Sequence, residues 1–570
     1  MRHRAPWLLA VLAAAAVYAA AGWYLSEPAT FWSSDSAVRF VQAESLRSQG
    51  YRTLAVLYPA EDVDPDHDFY PVAEGFSYRR GGRTYLSYPW FFPALAAPFY
   101  GALGFPGLLV VPAVAGLAAA AATGTAVGRG GGPAGAAVVL LVGVASPLLV
   151  YGAVFWDHTV VAALAAGGCA LLLGEPAERD PRRRAFWAGA LLGLGPWFRN
   201  ETYVLFVAGV GGLVVSGRVE RVLPLCRGFA VAVLPLWAYH LWWFGNPLGY
   251  KGRAVLEAAV APGALNYVQQ RVLVAYDLLL SVEHYTQAFR PRRLSEAALL
   301  ASGVVAGSAL LRAGLDRGSR VLVGLGGAVL AAVGTAVVAF RIPVMGLLPS
   351  VPWVGLAALR QPREADDRFL WTVAGLYVAG VAAVGSVGGL QWGPRYLMPA
   401  VPVLGVLCGR WFAEAWRQHP ALRGTLAAVV AGLVLSGLAV QVLGVRFIRH
   451  SLDTLRAIQD VLAGTRYEVV ATGHEPMFRA LGGLYFRKKL LAVDSQQELR
   501  RLVDSLARRR VTGWTYVPRF AATFDARLVE RWTAHGPWRF RVEEDRTPLV
   551  VEFGGPWPIR LITYRGAAGR

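Results

Sequence analysis

A chain of 570 residues with 55% hydrophobic and only 16% charged residues, and a mean hydropathy of +0.41, is not an ordinary soluble protein. Its formal net charge of +19 would point to nucleic acid in a soluble chain. Here the excess lies largely in short loops between apolar runs, where it orients a membrane protein against the cytoplasmic leaflet.

Apolar runs of about 17–25 residues, the length that crosses a ~30 Å hydrocarbon core, recur along the chain. The first, Trp7 to Leu25, follows the basic start "MRHR" and reads as an uncleaved signal anchor, because its apolar part is long and many spans follow. Thirteen spans are predicted, near 7–25, 105–127, 133–151, 153–174, 186–198, 201–217, 225–243, 296–312, 319–340, 344–360, 369–390, 397–413 and 424–445. The segment "WFFPALAAPFYGAL" (90–103) reads as a dipping or interfacial helix. Cys169, Cys226 and Cys408 lie in or beside these segments without metal-like spacing, so neither a disulfide framework nor a zinc site is implied.

Lys/Arg bias in the short connections sets the sidedness. With a cytoplasmic N-terminus, the inner connections read "GRGGG", "EPAERDPRRR", "SGRVERVLPLCR", "RAGLDRGSR", "RQPREADDR" and "GRWFAEAWRQHPALR", and almost every one carries several arginines. The outer ones, "YGAVFWDH", "FRNE", "FRIP" and "QWGPR", carry one basic residue or none. Two long loops, 26–104 and 244–295, then fall outside with the tail. The domain division that follows is a membrane domain over 1–446 and an extracytoplasmic α/β domain over 447–570. In that tail "YEVVAT", "KLLAVD" and "VTGWTYV" read as strands and "SQQELRRLVDSLARRR" as a helix.

The polar residues of interest collect on the outer side. "SSDSAVRFVQAESLRSQG" (33–50) reads as an amphipathic helix with Ser34 or Asp35 at its N-cap and Gly50 at its stop. Asp35 is either a cap alone, or a general base or a ligand for a divalent ion held at the membrane surface. "EDVDPDHDFY" (61–70) offers alternating carboxylates but lacks the Gly and terminal Glu of a calcium loop, and reads better as a solvated acidic loop. "YRRGGRTYLSYPW" (78–90) reads as a hairpin around Gly81-Gly82.

"FWDHT" puts Asp157 and His158 at a tight turn, either as a capped helix start or as the wall of a polar cavity. In "WFRNET", Arg199 and Glu201 either pair with each other or line that cavity. "WWFGNPLGYKGR" supplies Asn246, then Lys251 and Arg253, cations suited to a lipid phosphate or a substrate entrance. "QWGPRYLMPAVPVL" places Arg395 after a Gly-Pro break, where a guanidinium either anchors the interface or holds a phosphate bidentately.

Taken in order, Asp35 after the first span, "YPWFFPALAAPFYG", the "RNE" turn, "FGNPLGY" and "GPRYLMPAVP" resemble the GT-C superfamily of integral membrane glycosyltransferases, which includes protein mannosyltransferase-like and aminoarabinose-transferase-like enzymes. The resemblance covers about residues 1 to 445. It implies an all-α polytopic membrane fold of about 13 transmembrane helices, with the small C-terminal α/β domain outside. It implies transfer of a sugar from a polyprenyl-phosphate carrier to a lipid, glycan or protein acceptor at the outer face of a bacterial plasma membrane, with no nucleic-acid partner. Asp35 takes the place of the base, and Arg395 leads the phosphate-binding candidates. Many members carry two adjacent acids in the first loop, whereas "SSDS" carries one, which weakens a claim of metal dependence: no cofactor is certain and a divalent cation is possible. A lipid or polysaccharide transporter, which would favour broken helices and ionisable groups at mid-membrane, and a noncatalytic scaffold for envelope assembly stand as alternatives.

Overall fold

Inside hydrocarbon a backbone can satisfy its N–H and C=O groups only within itself, so long apolar runs fold as helices. The computed structural model describes residues 5–26, 30–72, 75–127, 132–173, 180–250, 252–253, 264–283, 290–385, 391–473, 481–519, 521, 523–552 and 556–569. Seven helices among them are long and apolar enough to cross a membrane: Ala5–Leu25, Phe105–Val127, Val219–Phe244, Pro291–Asp316, Arg320–Ala339, Ala365–Val384 and Pro420–Ala463. Shorter apolar helices run over Phe91–Leu103, Pro133–Gly143, His158–Leu172 and Thr202–Val215.

The expected count of about thirteen transmembrane helices is not confirmed by these seven long helices among the described residues. The segment read as a span over 344–360 is broken into a single turn, Leu347–Ser350, and a 3-10 stretch, Pro352–Leu359. Pro349 and Pro352 lack the N–H that a continuous helix would use there. The last predicted span, 424–445, is only the first half of a 41-residue helix, Arg423–Ala463.

The chain falls into two compact units. One comprises Met1–Trp23 and Leu109–Arg446; the other comprises Tyr24–Leu108 and Phe447–Arg570. The first long loop, assigned from sequence to the membrane domain, therefore belongs with the tail. Its local signals describe elements but not the long-range contacts that group them.

In the first unit helices approach through small residues. A Cβ on Gly189 would collide with the Leu225 carbonyl, and one on Gly228 with the Phe186 carbonyl, so Pro181–Leu194 and Val222–Phe244 meet nearly backbone to backbone. At the arginine-rich connections, Asp367 is fully buried and accepts from Arg360 and Arg410, each at 2.7 Å. These charges are affordable only because they pair.

The second unit carries a five-stranded sheet. Its strands are β3 (Val469–Thr472), β4 (Lys489–Ala492), β5 (Gly513–Val517), β6 (Trp538–Glu552) and β7 (Pro556–Ala568) in the order β4-β3-β5-β7-β6. β4, β3 and β5 are parallel, and β7 and β6 continue antiparallel. The two long strands β6 and β7 were not anticipated from the sequence. Gln496–Arg508, N-capped by Ser495, lays Leu499, Leu502, Val503 and Leu506 onto the core at helical spacing. The hairpin pairs β1 (Ser77–Arg80) with β2 (Arg83–Leu86), and Gly81 and Gly82 take the positive φ values (57° and 75°) that its two-residue turn needs.

One core joins first loop and tail: Val38, Tyr58, Phe69 and Leu86 share a cluster with Leu455, Leu490, Trp514 and Tyr564. Polar contacts follow the same seam. Lys489 Nζ reaches Asp62 at 2.7 Å, and the Ala492 N–H donates to the Phe69 carbonyl at 2.9 Å.

Candidate functional site

In the second unit, Asp35 lies in the first turn of the Ser34–Ser48 helix. The cap is neither Ser34 nor Asp35 but Ser33, whose hydroxyl accepts from the Ser36 N–H at 3.2 Å. Asp35 is thus released from capping, while the helix dipole still favours its negative charge. Tyr88 Oη donates to Asp35 Oδ1 at 2.5 Å. Gln42 Nε2 donates to the Tyr88 carbonyl at 2.9 Å, so the same helix holds both ends of that tyrosine.

Arg39 completes the group. Only 2% exposed, it lies one helical turn from Asp35, donates to the Asp35 carbonyl at 3.4 Å, and sits 4.7 Å from the Tyr88 ring centroid. The helix is therefore not a surface amphipath: from Ser36 to Leu46 every residue but Glu44 is buried.

Asp64, the middle acid of "EDVDPDHDFY", does not belong to a solvated loop either. Only 3% exposed, it accepts from Tyr58 Oη at 2.7 Å and from the N–H groups of Asp68 and Phe69 at 3.0 Å each. It folds the loop around itself, and burial raises its carboxyl above the ordinary value. Among the described residues no group of three or more His, Cys, Asp or Glu is placed to hold a metal ion.

In the first unit, five predicted residues gather. Arg199 bridges two acids, donating from Nη1 to Asp157 at 2.9 Å and from Nε to Glu201. Its guanidinium lies 5.6 Å from the Tyr396 ring centroid. Arg395 packs on the same ring at 4.8 Å and on Trp156 at 5.4 Å, and donates to Tyr396 Oη at 3.0 Å. His158, fully buried, has the rings of Tyr151 and Trp156 at centroid distances of 4.8 and 5.0 Å.

Local geometry fixes these side chains. Asp157 opens the His158–Leu172 helix without capping it, which leaves its carboxylate for Arg199. Thr202 Oγ1 donates to the Arg199 carbonyl at 2.6 Å, and Tyr377 Oη donates to that of Tyr396 at 2.7 Å. The "QWGPR" turn is pinned residue by residue: Gln391 donates to Asp277 at 3.3 Å, the Trp392 N–H to Tyr151 Oη at 3.3 Å, and the Gly393 N–H to the Val344 carbonyl at 2.8 Å.

Of the remaining candidates, Asn246 makes a local contact, donating to the Phe244 carbonyl at 3.5 Å, and Arg253 is exposed. Lys251 lies outside the described residues.

With this geometry in hand, likeness to solved structures becomes informative. The structure of ArnT from Cupriavidus metallidurans bound to undecaprenyl phosphate matches over 99% of this chain and 99% of its own, with a TM-score of 0.53 at 14% identity. Apo ArnT matches over 98% and 97%, with a TM-score of 0.51 at 12% identity. The chain shares the ArnT fold. That likeness of fold spans the membrane helices and the tail alike. No protein-family model and no curated protein matches the sequence.

Sequence reading missed Arg39, Tyr88, Tyr396 and Asp277. For Arg39 a signal existed, because a cation four residues after an acid shares its helical face. Nothing in the local sequence marks Tyr88, 53 positions away, as the partner of Asp35.

Proposed function

We propose that the chain is a membrane glycosyltransferase that moves a sugar from a polyprenyl-phosphate carrier to an acceptor hydroxyl or amine at the extracytoplasmic face, with Asp35 as general base. The carrying observation is the end-to-end match to a fold whose solved structure holds undecaprenyl phosphate. Asp35 supports it, being a carboxylate spared from capping and aligned by the Tyr88 hydroxyl.

In this reading Asp35 takes the acceptor proton as the acceptor atom attacks the anomeric carbon. The bond from that carbon to the phosphate oxygen breaks, and its electron pair leaves on the polyprenyl phosphate. A guanidinium stabilises the developing charge best where water is scarce. Taken by itself, the first unit offers Arg395, framed by two aromatic rings, for the role of carrier-phosphate ligand. Arg199 is assigned a supporting one, because two carboxylates already offset its charge. Both the acceptor and the sugar are left open.

The test uses the purified full chain in nanodiscs with a panel of synthetic undecaprenyl-phosphate monosaccharides, scoring release of undecaprenyl phosphate. Asp35→Asn should abolish release while retaining undecaprenyl phosphate binding. Wild-type turnover in that variant removes Asp35 from the mechanism. Lipid crossing the bilayer without sugar release would favour a transporter, for which the broken 347–359 segment is the supporting feature.

A further inference from the structure

The turn "LGGLYFRK" (481–488) of the C-terminal domain presses directly on the helix that carries Asp35. A Cβ on Gly482 would lie 3.1 Å from the Ala37 carbonyl oxygen and 3.2 Å from its Cα and Cβ, so the two segments meet backbone to backbone. Ala37 is two residues from Asp35, in the same helical turn. Gly482 is not among the residues with positive φ, so any cost of a side chain there comes from close packing against Ala37 rather than from backbone conformation.

The rest of the turn is held in register on both sides. Phe486 meets Phe40 edge to face at 6.0 Å, and Phe40 also packs at a tilt against Phe31 and Phe105 at 5.0 and 5.3 Å. Tyr485 Oη donates to the Leu57 carbonyl at 2.7 Å and lies 3.2 Å from Tyr70 Oη. Leu481 and Leu484 are fully buried in the core that also contains Val38 and Val41. A close-packed interior transmits a displacement rather than absorbing it.

We propose that the C-terminal domain is a positioning element of the active site, and that Gly482 and Phe486 set the placement of Asp35 through Ala37 and Phe40. This rests on reading Asp35 as the base. The domain is then part of the machinery that aligns the reacting proton, in addition to any contact it makes with acceptor. Neither residue is catalytic, since neither touches the reacting atoms.

The test compares Gly482→Val, Gly482→Ala and Phe486→Ala in the full chain in nanodiscs, with turnover normalised to undecaprenyl phosphate binding sites. Gly482→Val should lower kcat by about tenfold, because misplacing a reacting group by about 1 Å can cost about a hundredfold and a shift of a fraction of that costs less. The KM for the donor should stay within about twofold, since the donor contacts are assigned to other residues. Gly482→Ala should recover most of the rate, and hydrogen exchange over 35–40 should rise only in the valine variant. Phe486→Ala gives the same pattern and serves if the valine variant does not fold.

A cycle with Tyr88→Phe separates positioning from general damage. Two changes acting through Asp35 should combine to little more than the larger single effect, whereas independent destabilisation multiplies. Wild-type kcat in both Gly482→Val and Phe486→Ala, or a fully multiplicative cycle, overturns the proposal. Asp35→Asn at wild-type turnover would instead overturn the base assignment beneath it. An inactive Asp35→Asn beside a normal Gly482→Val overturns only the positioning role.

Discussion

Arg199→Met is the sharpest test of how the first-unit cluster is held. The side chains of Asp157, Arg199 and Glu201 are 1%, 12% and 14% exposed, so little solvent screens them. Methionine keeps most of the length and removes the charge. Asp157 then keeps a buried negative charge without its guanidinium, and Glu201 repels it. Breaking such a set costs about 3–5 kcal/mol, and the residual exposure of Arg199 and Glu201 points to the lower end, about 3 kcal/mol. That is roughly two decades in the ratio of folded to unfolded protein. Replacing all three charges at once should recover most of the loss, because neutral groups of similar size leave no orphaned charge. The assay is SDS titration in mixed micelles, followed by tryptophan fluorescence. Arg199→Met should unfold at clearly lower SDS, and the Asp157→Asn, Arg199→Met, Glu201→Gln combination should return toward wild type. A single variant as stable as wild type, or a triple variant no better than the single, refutes the account of Arg199 as the neutralising hub.

Arg395→Ala should raise the undecaprenyl phosphate concentration for half-saturation by about tenfold to a hundredfold, the loss of a charge-assisted hydrogen bond worth about 1.5–3 kcal/mol, measured by titration in nanodiscs. Unchanged affinity would count against its phosphate role. Asp64→Asn should destabilise the second unit by about 1–3 kcal/mol, since an amide cannot accept from both the Asp68 and Phe69 N–H groups and Tyr58. Because burial raises the Asp64 carboxyl, the folded state binds that proton more tightly than the unfolded chain. This contribution is fully present below the ordinary carboxylate value and is lost as pH rises through the raised one. The stability gap between wild type and Asp64→Asn, followed by hydrogen exchange over 58–70, should therefore widen as pH falls from 7 to about 4. A gap that narrows would contradict the direction.

What was legible in the chain depended on whether its cause was local. Apolar runs mark helices because hydrocarbon leaves the backbone no alternative, and Gly81-Gly82 marks a hairpin because its turn demands positive φ. Arg199 and Glu201, two positions apart, could be read as a pair; that Asp157 joins them depends on a contact across 42 positions. Where local signals competed, packing decided. The Ser34–Ser48 helix carries Arg39, Gln42 and Ser45, which suggest a wet face, yet each is buried and hydrogen-bonded: Gln42 to Tyr88, and Ser45 Oγ to the Leu57 N–H. Those polar groups are explained only when Leu57 and the segment after β2 that bears Tyr88 are in place. The same holds for the domain boundary. Hydropathy separates 26–104 from 447–570 by more than three hundred residues, but Val38 and Leu490 share one core, and Gly482 packs closely against Ala37. Asp35 itself meets Tyr88 and Arg39, while the tail reaches its helix at Ala37 through Gly482, which is why the reading of the site and the reading of the tail are tested by linked experiments.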